Sequence, residues 1–163
     1  MARAHKKKGE EEEGIKLICR NRRAFHDYAV EDKLECGLVL TGTEVKSLRE
    51  GGTSLEDAYA KVDGNEVWLI GCDIPEYTFG NRLNHKPKRP RKLLLHRREI
   101  ARFADKATQH GFTLVPLRMY FRDGRAKVEL AVARGKKEYD KRESAKKQEA
   151  QREIRRAMTD RNR

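Results

Sequence analysis

His26 and Asp27 stand side by side in the stretch NRRAFHDY and are the obvious place to look for acid–base chemistry. Such chemistry needs both groups aimed at one substrate atom. Residues 25–31 alternate like a strand, with Phe25, Asp27 and Ala29 on one face and His26, Tyr28 and Val30 on the other. That reading sends the imidazole and the carboxylate to opposite sides. No GxSxG, phosphate-binding glycine loop or HExxH occurs. Cys19, Cys36 and Cys72 are odd in number and lack metal-ligand spacing, which fits reduced, mostly buried thiols of a cytoplasmic protein. Glu31, Asp32 and Glu35 read as a solvated turn, and His5 and His110 carry no signal. His85 and His96 flank a basic segment and read as solvated surface side chains that can stack on bases. The expectation is a binding protein without catalytic residues, metal or cofactor.

What the chain can bind follows from its charge. It has 38 Lys and Arg against 26 Asp and Glu, a net charge of +12 over 163 residues. Neutralising phosphates releases counterions, so an excess of this size favours a nucleic acid over a merely solubilising role. The charge is also clustered. Residues 82–98 hold eight Lys and Arg and no acid, among them Lys88, Arg89, Arg91 and Lys92. Pro87 and Pro90 keep that segment extended and space its cations along a backbone. Asn21, Arg22 and Arg23 add a group able to touch base edges and phosphates.

These groups need a scaffold, and the middle of the chain supplies one. Residues 15–133 contain every Phe and the only Trp. Strand-like runs occur at residues 25–31 and 35–42, parted by a polar turn at Asp32-Lys33. A short helix follows over 43–50, with Thr43 as N-cap and Gly51-Gly52 as its stop. Two more strands, residues 54–63 and 66–74, flank the Asp63-Gly64 turn. An irregular basic stretch runs to about Lys92. A helix is expected from His96 to His110, with Ile100, Phe103, Ala104 and Ala107 on one face and Gly111 as its end. A last pair of strands flanks Asp123-Gly124, with Pro116 confined to an edge or bulge. About six strands with two or three helices predict a mainly β fold, a closed antiparallel barrel. No apolar run is long enough to cross a bilayer and no signal peptide is read at the start, so no membrane contact is expected.

The ends differ from this core. Residues 1–14 set a basic block against an acidic one and read as a disordered arm. Residues 134–163 hold 12 Lys and Arg against 6 acids. Glu138–Arg142 and Glu143–Lys147 are favourable i,i+4 pairs, and Ala150, Ile154, Ala157 and Met158 form a thin apolar stripe. An isolated helix of this kind is marginal in water, so the tail is expected to be disordered when free and helical when bound to RNA.

The strings NRRAFHDY, GLVLTGTEVKSLREG, EVWLIG, RPRKLLLHRREIARF, TLVPLRMYF and KVELAVARGKKEYDKRE, taken in order, resemble the SmpB family of SsrA-binding proteins. The resemblance covers about residues 21–143, roughly three quarters of the chain. It implies an oligonucleotide-binding (OB)-like barrel with three short helices, spanning residues 15–133. It implies a non-enzymatic, bacterial, cytoplasmic protein that grips the tRNA-like domain of tmRNA and stands in for the missing anticodon arm. The pair would then reach stalled ribosomes for trans-translation. Implied partners are tmRNA, ribosomal RNA at the decoding centre and messenger channel, and elongation factor Tu; a monomer is the default.

On the matched positions, Asn21, Glu35 and Leu94 correspond to the tmRNA face, with His26, Lys46 and Arg49 in neighbouring motifs. Glu35 would accept hydrogen bonds from base amino groups and so read sequence. Gly135, Lys136 and Lys137 match the hinge to the tail, Tyr139 a ring that stacks in the decoding centre, and Asp140, Lys141 and Arg142 the family's DKR motif. Phe25 stands where the family usually has a base, Ala29 where a larger side chain is common, and Lys86 where an acid is common. The run Glu10–Glu13 has no counterpart in the pattern. Composition alone leaves open a structural ribosomal protein with a barrel and basic extension, or a general RNA chaperone.

Overall fold

The computed structural model describes residues 14–109 and 111–161. The arm expected over residues 1–14, including Glu10–Glu13, lies almost wholly outside the described residues, as does His110. In chain order the elements are β1 (Ile15–Arg20), α1 (Arg22–Asp27), β2 (Tyr28–Leu38), α2 (Gly42–Glu50), β3 (Tyr59–Asp63) and β4 (Glu66–Ile70). They continue with β5 (Arg91–Leu94), α3 (Arg97–Thr108), β6 (Phe112–Arg122), β7 (Arg125–Gly135) and α4 (Glu138–Arg161).

All strand pairings are antiparallel, in the order β1-β6-β3-β4-β5-β2-β7, and β6 pairs again with β7. Six strands therefore close a ring, and β1 lies beside the C-terminal half of β6. Turn chemistry sets the register. Asp123 and Gly124 both take positive φ, 50° and 75°, as a two-residue hairpin loop with the twist of its strands requires. Pro116, which has no N–H to donate, sits where the β6–β7 register shifts. The barrel interior packs Val67, Leu69, Leu93, Leu114, Met119, Val128, Leu130 and Val132, and Phe103 of α3 is fully buried against them. The alternate residues Val115, Leu117, Ala131 and Ala133 form a second, smaller cluster that receives Ala24 of α1.

Several local expectations are corrected. Residues 22–27 form α1, not the start of a strand, because Asn21 caps them and Ala24 faces the sheet. Asp32-Lys33 makes no turn: β2 runs through it as one strand with a bulge between Val30 and Asp32. Asp32 points to α3, where Lys106 Nζ lies 2.9 Å and Arg102 Nη2 3.3 Å from its carboxylate. Helix α2 begins at Gly42, with Thr41 and not Thr43 as its N-cap, in a capping box with Glu44. β5 begins inside the stretch read as irregular and runs past its end, and β1 is a strand that the alternation did not reveal. His85 is buried, not solvated. Its Nε2 donates to the Ile74 carbonyl at 2.9 Å, and its Nδ1 lies 3.0 Å from the Thr43 hydroxyl.

Candidate nucleic-acid interface

The basic loop between β4 and β5 is held by one buried carboxylate. Glu44 of α2 is fully buried. Arg89 donates to it twice, Nε to Oε1 and Nη2 to Oε2, both at 2.7 Å. Arg91 Nε donates to Oε1 at 2.8 Å, and the Thr41 N–H closes the capping box at 2.8 Å. Burial pushes the Glu44 carboxyl up, but the bonds from Arg89, Thr41 and Arg91 outweigh it and hold the group below the usual carboxylate range. Arg91, itself fully buried, also donates to the carbonyls of Cys72, Arg89 and Pro87. It braces the loop from inside and is out of reach of a phosphate, which corrects the expectation for that residue. Lys92 is ion-paired to Glu66. Lys86 and Lys88 are exposed on the anchored loop, and Lys46 and Arg49 are exposed on α2, with Lys46 Nζ 5.5 Å from the Tyr77 ring centre.

A cleft of about 650 Å³ opens between the α2–β5 side of the barrel and the β6–β7 turn. Glu35, Leu94, His96, Arg125 and Lys127 line it. Leu94 is 52% exposed and pairs with Gly37, where a Cβ would come 3.3 Å from the Leu94 Cβ. Glu35 accepts from the Tyr120 hydroxyl and from Arg122 Nη1 at 2.6 Å, with Lys127 Nζ at 3.7 Å. Burial raises Glu35, but Tyr120, Arg122 and Lys127 overcome this and leave it below its ordinary value. The result is an ionised acceptor fixed on a basic wall, able to meet base amino groups where a bare carboxylate would repel the strand.

Asn21 does not join that cleft. It is 1% exposed, and its side chain is fully engaged. Its Oδ1 accepts from the Ala24 N–H at 3.0 Å, and its Nδ2 donates to the carbonyls of Leu55 and Pro116, each at 3.0 Å. The expected base-edge contact is therefore replaced by a positioning role: Asn21 fixes α1, which presents Arg22, Arg23 and His26 to solvent. His26 Nδ1 lies 2.9 Å from Asp27 Oδ1, so these neighbours do meet, because a helix end and not a strand carries them. That hydrogen bond is the main reason Asp27 sits below its usual range; Lys141 and Arg23 add to it.

The tail root is tied to the same helix end. Gly135 is the last residue of β7. The Lys136 N–H donates to the Asp27 carbonyl at 2.8 Å, and its Nζ to the Phe25 carbonyl at 3.2 Å. Lys141 Nζ lies 3.6 Å from Asp27 Oδ1. Lys137 and Arg142 are exposed, Asp140 is half-buried, and the Tyr139 side chain lies outside the described residues. Composition had no means of singling out Glu44, Tyr120 or Arg122, and Asp27 stood out only as a neighbour of His26, not as the partner of the tail root. Only the Thr41-x-x-Glu44 box carried a local signal. Among the described residues no His, Cys, Asp and Glu cluster could hold a metal, and no helix is long and apolar enough to cross a membrane.

The sequence pattern of the SmpB protein family matches residues 18–160. The chain belongs to the SmpB family. A protein named SsrA-binding protein from Thermobifida fusca (strain YX) is 59% identical over 155 residues, covering 95% of this chain and 97% of its own length. One of the same name from Acidothermus cellulolyticus is also 59% identical, over 90% of this chain and 92% of its own. A solved chain described as "tmRNA-SmpB: a journey to the center of the bacterial ribosome" is 45% identical with a TM-score of 0.65, covering 76% of this chain and 87% of that one. The family match runs from within β1 to near the end of α4, so it takes in the barrel and nearly all the described tail.

Proposed function

We propose that this chain binds the tRNA-like domain of tmRNA, the SsrA RNA, and delivers it to stalled bacterial ribosomes for trans-translation. It acts by binding, without a covalent step, in the cytoplasm, with elongation factor Tu in the delivery complex and as a monomer. The observation that carries this reading is the 59% identity to a named SsrA-binding protein across 95% of the chain.

The geometry supports a division of labour. Glu35 and Leu94 share a cleft in which a base can be held by an acceptor and an apolar wall. Arg22, Arg23, His26, Lys46, Arg49 and Lys88 are exposed and suited to backbone contacts. Arg89, Arg91 and Lys92 hold the loop in shape through Glu44 and Glu66. Residues 135–142 carry the specific ribosomal contacts of the tail, and the remaining helix supplies charge and length in the messenger channel. We infer that the tail is disordered when free and becomes helical on the ribosome, because Ile154 and Met158 are exposed and give the helix little packing of its own.

A gel-shift titration tests the reading. The protein should prefer the tRNA-like domain of tmRNA over unrelated RNA of equal length. Glu35→Ala should reduce that preference; equal affinity for both RNAs contradicts the assignment.

A further inference from the structure

The segment between β4 and β5 carries a closed loop over residues 77–84 that holds two apolar side chains out in solvent. Phe79 is 81% exposed and Leu83 86%. Single exposed apolar residues are ordinary on a protein surface. These two stand on a loop of fixed shape. Asn84 closes it: its Nδ2 donates to the Tyr77 carbonyl at 2.9 Å, and its Oδ1 accepts from the Tyr77 N–H at 3.3 Å. The Gly80 N–H donates to the same carbonyl at 2.8 Å, and the Leu83 N–H to Asn81 Oδ1 at 3.0 Å. A Cβ at Gly80 would come 2.3 Å from Asn84 Nδ2, so the closure leaves no room for a side chain there. Helix α2 anchors the whole segment: Thr43 meets His85, the Ser47 hydroxyl donates to the Pro75 carbonyl, and the Thr78 hydroxyl donates to Glu50 at 3.4 Å. Phe79 meets Tyr77 edge to face, with ring centres 5.8 Å apart, and Lys46 Nζ lies over the Tyr77 ring. That contact leaves Phe79 mostly bare, so packing within the chain does not account for its position. A loop already fixed in shape loses little freedom when it binds.

The charge around this tip selects its partner. Lys46 and Arg49 of α2 and Arg82, Lys86 and Lys88 of the loop segment are exposed, against the acids Glu50 and Glu76. An exposed ring among cations suits an unstacked base with phosphates on either side. An apolar protein surface would cover Phe79 and Leu83 but leave the cations without counterparts. We propose that Phe79, backed by Tyr77, is a stacking platform for an unpaired base of the tRNA-like domain, with Arg82 and Lys46 on the adjacent phosphates. Leu83 adds apolar surface from the same loop. The platform holds the face of a base, whatever its identity, whereas Glu35 reads a base edge in the cleft that it shares with Leu94. The exposed cations of α2 join the two contacts. This inference rests on the proposed binding of the tRNA-like domain and names a contact within it.

The test uses the full chain and the isolated tRNA-like domain of tmRNA at fixed salt. Phe79→Ala should weaken binding by about fivefold or more, while Phe79→Trp should stay within about twofold of the unaltered chain. Phe79→Leu keeps an apolar side chain but has no ring face, and should fall with the alanine variant. Stacking also quenches an indole. The emission of Phe79→Trp should therefore drop on adding the RNA by more than that of the unaltered chain, whose only Trp is Trp68. Because Phe79 is exposed, none of these changes should lower stability in urea. Unchanged affinity in Phe79→Ala, leucine binding as tightly as tryptophan, or no added quenching overturns the proposal. So does normal RNA affinity with lost tagging on stalled ribosomes, which assigns the tip to a ribosomal partner. Preference of the unaltered chain for this domain over unrelated RNA tests the proposed function. The ratio of variant to unaltered affinity on one RNA tests the platform, so the two can fail separately.

Discussion

Arg91 and Arg152 belong to the two most basic segments of the chain, yet they do different work. Arg91 is fully buried, bonded to Glu44 and to three carbonyls. Arg152 is exposed on a long helix, without a buried acid to match it. In the barrel, positive charge is matched by buried acid and fixes shape. In the tail, positive charge is exposed and can respond to a partner. Charge density is therefore a poor guide to contact: part of the loop's cations form its internal scaffold.

The sharpest way to break this contrast is to remove Glu44. Glu44→Ala leaves Arg91 charged and unpaired in the interior, which costs about 3–5 kcal/mol of stability. Urea denaturation should show that loss, whereas Arg152→Ala should change stability by less than about 0.5 kcal/mol. Next in size is Asn21→Ala. It deletes an N-cap worth about 0.5–2 kcal/mol and leaves the Leu55 and Pro116 carbonyls short of a donor. Its RNA affinity should fall only as far as α1 loosens, and a fall without any stability loss would restore direct contact for Asn21.

Acid sharpens the same comparison. Glu44 and Glu35 sit below the ordinary value of 4.5 in the folded barrel. Their contribution is complete above that value and is lost as pH falls through their lower folded values. Thermal unfolding should therefore shift down on acidification below about pH 4.5, while barrel stability stays level between pH 5 and 7 as far as these two groups are concerned. The smallest expected effect on stability lies within the tail. Asp140→Ala with Lys141→Ala should reduce peptide tagging in a trans-translation assay far more than Lys146→Ala with Lys147→Ala, and neither should alter barrel stability measurably.

Parts of this molecule were legible in the chain because their causes are local. Asp123-Gly124 names its hairpin through two positive φ angles, and Pro116 demands its bulge through a missing N–H. The stripe at Ile100, Phe103 and Ala107 gives α3 its inward face. What stayed hidden depends on distant partners. Arg91 reads as a loop cation until Glu44, 47 residues away, is seen to bond it. His85 reads as surface until Thr43 and Ile74 close around it. The six residues of α1 are too few for periodicity to separate from alternation, so in the sequence its cap, Asn21, reads as a binding group. Glu35 and Leu94 reached the same cleft through family resemblance, with no help from spacing.

The central claim, that the barrel recognises tmRNA and the tail acts afterwards on the ribosome, is tested most directly by truncation after Ala133. Affinity for the tRNA-like domain should be measured alongside tagging of peptides on stalled ribosomes. Affinity should stay close to that of the full chain, and tagging should be abolished. Loss of tRNA-like-domain binding on truncation, or tagging that survives it, contradicts the account.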